Sequence, residues 1–391
     1  MALKSTVTYC RIEDSLAAGK AAMKAVIEQM EGESPDFLLL FATVGHDLKK
    51  LIQGIHSIAG DTPLCGCSGA GSITNLGCDE GTHSFALMGL KSEQIHFYPF
   101  IVPGLSDNPE EVGQKIAKKI NSVGLTEADK KLLFLFPDGL TINADKLFQG
   151  INSELDYSID FVGGTASNDF HFSKTYQFCA QEILSDAVSG VLVVGEFHYV
   201  IGISHGCKAI GNYRTVTKAQ NNIIYEMDDQ PALALLKSFI GESRFSDIVQ
   251  VNLLGLGQPL EETSDSEDLL ARAIMGFDEE QGSIQLGAQL PVGSVVRFTR
   301  RDKAKVKRST QTVAKQVLAN LQSPKDATYF YFNCVGRGSY LFGDSDVDIQ
   351  SLLEILGEDK NLIGFFTLGE LAPTKGENSF HNYTGVIVGV Q

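Results

Sequence analysis

Apolar and polar positions along this chain repeat in the order strand, helix, strand. Residues Ser15 to Met30 carry Ala-rich packing positions at helical spacing and stop at Gly32. Pro35 then leads into DFLLLFAT, an unbroken apolar run of strand length. The stretch HDLKKLIQGIHSIA is apolar at Leu48, Leu51, Ile52, Ile55 and Ile58, one face of a helix. A turn, TPLCGCSGAGSI, follows, and SFALMGL and IHFYPFIV read as strands joined at KSEQ. The order then recurs. KLLFLF is a strand, Asn143 to Leu155 a helix with Leu147, Phe148, Ile151 and Leu155 on one face, and FVGGTASND a small-residue turn. Two strands, GVLVVGE and YVIGISHG, come after it.

A third copy closes the chain. An aromatic-rich strand from Thr328 runs into a glycine loop, and Asp344 and Ser345 can cap the helix DVDIQSLLEIL, which Gly357 ends. Its apolar positions are Val347, Leu352, Ile355 and Leu356. The turn in LIGFFTLGELAPTKG and a return strand in FHNYTGVIVGV complete it. GCSGAG (Gly66 to Gly71), GGTASN (Gly163 to Asn168) and FFTLGE (Phe365 to Glu370) thus occupy equivalent places. A fourth, degraded copy is expected from DIVQVNLLGLG, with a hairpin-like pattern replacing the helix. Such self-similarity means one supersecondary unit repeated around shared sheets. The fold class is α/β: repeated strand–helix–strand units forming mixed sheets covered by helices, in two closely packed halves.

With 391 residues, 43% apolar and 20% charged, the chain has the composition of a globular protein with a substantial core. A net charge of −16 disfavours nucleic acid or an anionic membrane as partner. The basic run Arg297 to Arg308 reads as a strand end entering a solvated helix face. No apolar signal core or spanning helix is visible, and seven scattered cysteines form no disulfide framework. The expectation is a reduced, soluble, cytoplasmic protein.

Several short motifs fall in an order that resembles the FIST sensory domain. They are CGCSGAG, PDGL and GGTASND early on, then SHGCKAIG, Thr215 to Ala219 and Glu226 to Leu233 at the junction. Later come Cys334-Val335-Gly336-Arg337-Gly338, Gly364-Phe365-Phe366 leading to Gly369-Glu370-Leu371-Ala372-Pro373, and His381-Asn382 with Thr384. The resemblance implies a prokaryotic signal-transduction sensor, related to nitric-oxide-sensing FIST haemoproteins and to the FIST region of F-box proteins. It implies a helical lead-in over 1–34, an N-terminal domain over 35–222 and a C-terminal domain over 223–391, with the division near Asn222. No output segment is recognised, so the signal is expected to pass to a separate protein such as a histidine kinase or a diguanylate cyclase or phosphodiesterase. A homo-oligomer stays open.

In strand–helix units ligands collect at the carboxyl ends of strands. The loops there are Val44-Gly45-His46, Pro137-Asp138-Gly139 and Cys334 to Gly338, whose glycines allow close ligand approach or simply tight turns. The ligand-facing set is Ser68, Asp138, Asn168, Asp169, Cys334, Arg337, Glu370, His381 and Asn382. Loops bearing Asp138, Asn168, Cys334, Arg337 and Glu370 are expected to converge on one concavity. Arg337 and Glu370 either pair internally or offer a guanidinium fork to a ligand carboxylate, as an amino-acid sensor would need. Cys334 is a free buried thiol or a nucleophile, and no catalytic partner can be assigned to it. Cys65-x-Cys67 with Cys78 matches no zinc spacing. His205 is a structural histidine or, in the haem alternative, the axial ligand. His46, His56, His83 and His96 fall in surface-like patterns. The function read here is small-ligand sensing without catalysis; a haem sensor, an interaction scaffold and a cysteine-dependent enzyme are the alternatives.

Overall fold

The computed structural model describes residues 3–127, 129–168, 173–241, 253–260 and 269–391. The chain divides into two compact units. Unit 1 holds Met1–Ser204, Thr310–Ser379 and Gly385–Gln391; unit 2 holds His205–Ser309 and Phe380–Thr384.

Unit 1 is three copies of one eight-element pattern. The first runs β1 (Lys4–Cys10), α1 (Ser15–Gln29), β2 (Phe37–Ala42), α2 (Leu48–Ala59), β3 (Leu64–Ser68), β4 (Ser72–Thr74), β5 (Gly77–Asp79) and β6 (Phe85–Lys91). The second runs β7 (Ile95–Pro103), α3 (Pro109–Asn121), β8 (Lys131–Pro137), α4 (Ala144–Asn152), β9 (Phe161–Gly164), β10 (Gln177–Cys179), β11 (Glu182–Leu184) and β12 (Ala187–Gly195). The third opens with β13 (Tyr199–His205), after which the chain makes unit 2. That unit is β14 (Cys207–Gln220), β15 (Ile223–Met227), β16 (Gln230–Pro231), α5 (Ala232–Ile240), β17 (Leu254–Pro259), β18 (Leu269–Asp278), β19 (Ser283–Leu286) and β20 (Val295–Arg301). The third copy then resumes with α6 (Lys303–Asn320), β21 (Thr328–Cys334), a short α7 (Ser339–Phe342), α8 (Asp346–Leu356), β22 (Leu362–Thr367), β23 (Glu370–Thr374), β24 (Glu377–His381) and β25 (Thr384–Val390).

The three sheets have the same order: β1-β6-β2-β3-β10-β11, β7-β12-β8-β9-β23-β24 and β13-β25-β21-β22-β4-β5. Each contains one parallel pair from its own repeat, β2–β3, β8–β9 or β21–β22. Each is finished by a hairpin from another repeat: β10–β11 adds to β3, β23–β24 to β9, and β4–β5 to β22. The exchange is cyclic. Register makes Gly66, Gly163 and Gly364 equivalent, opposite Leu40, Leu135 and Tyr331. A Cβ at these glycines would lie 1.8, 2.1 and 1.8 Å from the carbonyl oxygen of that opposite residue. Only glycine fits there.

One register step on, Phe41, Phe136 and Phe332 face one another inside the ring, with centroids 5.2, 6.0 and 6.3 Å apart. Phe365 stacks on Phe41 at 4.4 Å. These rings and the strands' other inward residues form one apolar core. On the outer side, Asp14, Asp47, Asn108 and Asn143 each cap a helix of repeats 1 and 2 through a side-chain oxygen. Within those helix pairs the backbones touch at Gly19 with Gly54 and at Gly113 with Gly150.

Unit 2 is an antiparallel sheet in the order β14-β20-β17-β18-β19-β15-β16 that also pairs β14 with β15, closing on itself. Its core is Val216, Ile224, Met227, Leu236, Leu256, Ile284, Leu286, Val296 and Phe298, with others.

Several expectations change. The lead-in begins with a strand, β1, hydrogen-bonded to β6. Asn222 sits between β14 and β15, inside unit 2. Helix α3 was not expected, although Asn108-Pro109-Glu110-Glu111 is a capped, acidic helix start. The three small-residue turns begin as strands. The expected fourth copy lies partly outside the described residues; from Leu254 it is antiparallel, not strand–helix–strand. His46 is buried, not a surface residue.

Gly163→Ala is expected to cost more than about 2 kcal/mol in urea unfolding, because its Cβ meets backbone that cannot yield. Gly124→Ala, at φ +77° with nothing within 4 Å, should cost only about 1 kcal/mol of backbone strain. Equal losses at the two positions would show that close approach does not set the requirement.

Candidate functional site

The C-terminal ends of the paired strands carry the polar residues singled out by sequence. In repeat 1, His46 is buried with its Nδ1 3.2 Å from the Ser15 hydroxyl. The same hydroxyl accepts from the Asp47 N–H at 3.0 Å, which ties the ring to the start of α2. Burial lowers the His46 pKa, and His83, its ring 5.5 Å away, adds to the effect. In repeat 2, Asp138 accepts from Leu140 N–H and Asp186 N–H, both at 2.9 Å. The carboxylate is spent on loop geometry.

In repeat 3, Arg337 is fully buried and its partner is Asp348 on α8. Nε lies 3.1 Å from one carboxylate oxygen, and Nη2 lies 3.0 Å from the same oxygen and 3.3 Å from the other. Nη1 donates to the Ser204 carbonyl at 2.5 Å and Nη2 to the Thr310 hydroxyl at 2.7 Å. Thr310 in turn donates to Asp348 at 2.6 Å, and Tyr331 does so at 3.1 Å. Burial opposes the guanidinium charge, and the Asp348 carboxylate more than offsets this, holding Arg337 above its usual pKa. Burial pushes Tyr331 up, and the adjacent Asp348 carboxylate reinforces it. The expected internal pair with Glu370 is therefore an Arg337–Asp348 pair, with Glu370 adding only a longer-range attraction. No fork is presented to a ligand carboxylate. Ser204 and Thr310 are the residues of unit 1 that flank the longer segment of unit 2, His205–Ser309, in sequence. Arg337 ties together the points where the chain leaves and re-enters unit 1.

The three small-residue turns meet. Ser68 donates to the Ser167 carbonyl at 2.8 Å and accepts from Tyr176 N–H at 3.0 Å. The Ser167 hydroxyl donates to the Phe366 carbonyl and accepts from Ala70 N–H. Thr165 N–H reaches the Gly369 carbonyl at 2.8 Å. Small residues stand here because three backbones pass each other. Beside this node, Glu370 is fully buried and accepts from Thr367, and Cys334 lies opposite Thr367 in the β21–β22 ladder. Asn168 donates to the Lys174 carbonyl at 3.2 Å. Asp169 lies outside the described residues.

His381 and Asn382 belong to unit 2, where both are buried. Asn382 accepts from the Ala273 N–H, in the middle of β18, at 3.1 Å. His205, also assigned to unit 2, is half-buried at the end of β13.

The sequence reading missed Asp348, Thr310 and Tyr331. The signal was there: Asp348, Leu352 and Leu356 share the buried stripe of α8, so a carboxylate sits on an apolar face. It also missed Gln177 and Asn333, both fully buried. Among the described residues, the Gln177 Oε1 and both polar atoms of the Asn333 amide have no hydrogen-bond partner.

Three cavities lined by described residues lie elsewhere in unit 1. An apolar one at the opposite strand ends, between residues such as Phe37, Leu39, Phe134 and Phe330, has about 20 Å³ of room, enough for about one water. A surface cleft of about 310 Å³ runs between β7 and the end of α3. A third, open cleft of about 410 Å³ lies beside Lys4, Lys325 and Asp359, and none of the three borders His205 or the polar node. A haem would need an apolar slot beside its axial ligand, and none of these three cavities supplies one at His205. Among the described residues no cluster of three or more metal-ligating side chains occurs, and no helix is long and apolar enough to cross a membrane.

Family models for the FIST N domain and the FIST C domain match residues 36–230 and 232–373. The chain belongs to the FIST family. FIST domains are a family of signal-transduction sensors. An uncharacterized Mycobacterium tuberculosis protein is 26% identical over 377 residues, covering 94% of each chain. An uncharacterized Methanocaldococcus jannaschii protein is 25% identical over 394 residues, covering 90% of this FIST chain and 73% of its own. Among solved structures, a chorismatase and the cyanuric acid hydrolase of A. caulinodans align over 100% of this chain and 99% of theirs. Both are 8% identical, with TM-scores of 0.39 and 0.41, too remote to inform the site.

Asp348→Ala should cost about 3–5 kcal/mol in chemical denaturation, because it strands the buried Arg337 charge. A loss below about 1 kcal/mol would mean that water reaches the guanidinium. The depressed His46 pKa gives stability that is full above about pH 6.5 and is lost as pH falls through the folded-state value. The difference in unfolding free energy between wild type and His46→Gln should therefore shrink from pH 7.5 to 5; a constant difference would contradict the assignment.

Proposed function

We propose that this FIST protein senses a small polar ligand of amino-acid type and regulates a separate signalling enzyme, such as a histidine kinase or a diguanylate cyclase or phosphodiesterase. The observation that supports the ligand class is the pair of buried amides, Gln177 and Asn333, with polar atoms left without partners. Such atoms cost about 1–3 kcal/mol each unless something binds them, and native structures hold few. Asn333 offers a donor and an acceptor, and Gln177 offers an acceptor while its Nε2 donates to Thr175 at 3.2 Å. An amino acid carries ammonium donors and carboxylate acceptors, groups that either amide could bind. Arg337, committed to Asp348, is no part of the recognition. The haem alternative through His205 has no observation in its favour.

The test is a thermal-shift screen of the purified protein against amino acids and related small polar compounds. At a concentration about 100-fold above Kd a true ligand stabilises by about 2.7 kcal/mol. Asn333→Leu should fold at least as stably as wild type, because it removes only unpaired groups, yet lose the shift. A panel that leaves wild type unmoved, with a Soret band on adding haemin that vanishes in His205→Ala, would replace this reading with the haem one.

A further inference from the structure

We propose that Cys65 and Cys179 form a modification site, a pair of thiols that a peroxide closes into a disulfide across the seam between repeats 1 and 2. The argument begins with register. Cys179 of β10 stands directly opposite Cys65 of β3 in an antiparallel ladder. Ala180 N–H bonds the Leu64 carbonyl and Ser68 N–H bonds the Tyr176 carbonyl, both at 2.8 Å, which marks those as hydrogen-bonded pairs. Alternation along the ladder makes Cys65–Cys179 a non-hydrogen-bonded pair, with Cα atoms roughly 4.5 Å apart and side chains on the same face. Disulfides span Cα separations of about 4.4–6.8 Å, so the backbone already meets the requirement.

No other cysteine has this placement. Cys67 faces Gln177, Cys10 faces Phe85, Cys78 faces Ile73, Cys207 faces Arg301 and Cys334 faces Thr367. None of the seven cysteines is in a disulfide in this structure. Cys179 is half-buried and open to a small reagent, whereas Cys65 is fully buried and donates to the Gly190 carbonyl at 3.2 Å. That division gives an attacking and a resolving sulfur.

The chemistry balances with hydrogen peroxide as oxidant. The Cys179 thiolate attacks one peroxide oxygen, the O–O bond breaks, and hydroxide leaves to become water, giving a sulfenic acid. The Cys65 sulfur attacks the Cys179 sulfur, the S–O bond breaks, and a second water leaves with the Cys65 proton. Two thiols lose two hydrogens and two electrons, and peroxide is reduced to two waters. Burial pushes the Cys179 thiol up to about 11 and lifts Cys65 well above its usual value. The reaction is accordingly slow at neutral pH and accelerates as pH rises, which marks a response to sustained oxidant. The new bond would lock the exchanged hairpin of repeat 2 onto the sheet of repeat 1.

The full-length protein is treated with hydrogen peroxide and, in parallel, with the thiol oxidant diamide, then alkylated, digested and mapped by mass spectrometry. The expected product is a Cys65–Cys179 linked peptide pair, two hydrogens lighter than its parts. A Tm raised by several degrees should accompany it, reversed by dithiothreitol and absent in Cys179→Ser. Recovery of both cysteines alkylated after either oxidant, a link from Cys179 to another cysteine, or a Tm rise retained in Cys179→Ser would overturn the proposal.

Discussion

Each repeat of unit 1 leaves its own sheet unfinished, and the missing hairpin comes from another repeat. β3, β9 and β22 would present bare N–H and C=O groups without β10, β23 and β4. The exchange runs round all three copies, so no repeat satisfies its backbone alone. Because three chains must cross near one point, the crossing residues are small. Gly66, Gly163 and Gly364 admit the neighbouring carbonyl, and Ser68 and Ser167 add hydrogen bonds where side-chain bulk is forbidden. The phenylalanines one step away pack against one another in the apolar core.

The third copy departs from the other two where unit 2 interrupts it. In repeats 1 and 2 the paired helices touch glycine to glycine. The buried spacing of α6 puts Thr310 where α1 has Gly19 and α3 has Gly113, and Thr310 meets Asp348 instead. Polar contact has replaced bare backbone contact. A charge in that place needs its opposite, and Arg337 supplies it from the loop after β21. The Cys334-Val335-Gly336-Arg337-Gly338 motif is therefore explained within unit 1 by the clamp on Ser204 and Thr310.

The strands of length and the well-spaced helices were legible because apolar periodicity is local. DFLLLFAT, KLLFLF and the aromatic run from Thr328 became β2, β8 and β21, and their glycine-rich followers did prove equivalent. The partner of each strand was not legible, since nothing in the glycine of β9 announces that residue 371 will lie beside it. Site residues were harder for the same reason. Arg337 looked available because its partner is a helix residue eleven positions on, hidden in an apolar stripe. Asp138 and Ser68 were found as polar residues at strand ends, but their hydrogen bonds go to backbone that sequence cannot position.

The cyclic exchange also bears on how the chain matures during synthesis. β3 ends at Ser68, yet its neighbour β10 begins at Gln177, and β9 waits from Gly164 until Glu370. With translation at about 5–20 residues per second, the second wait lasts about 10–40 seconds. Through that interval an apolar strand edge stays open beside the ribosome, and the ring shuts only when the last few dozen residues emerge. The first sheet is complete once β11 has emerged, so a ribosome stalled before Glu370 would release a product whose other two sheets still lack β23–β24 and β25.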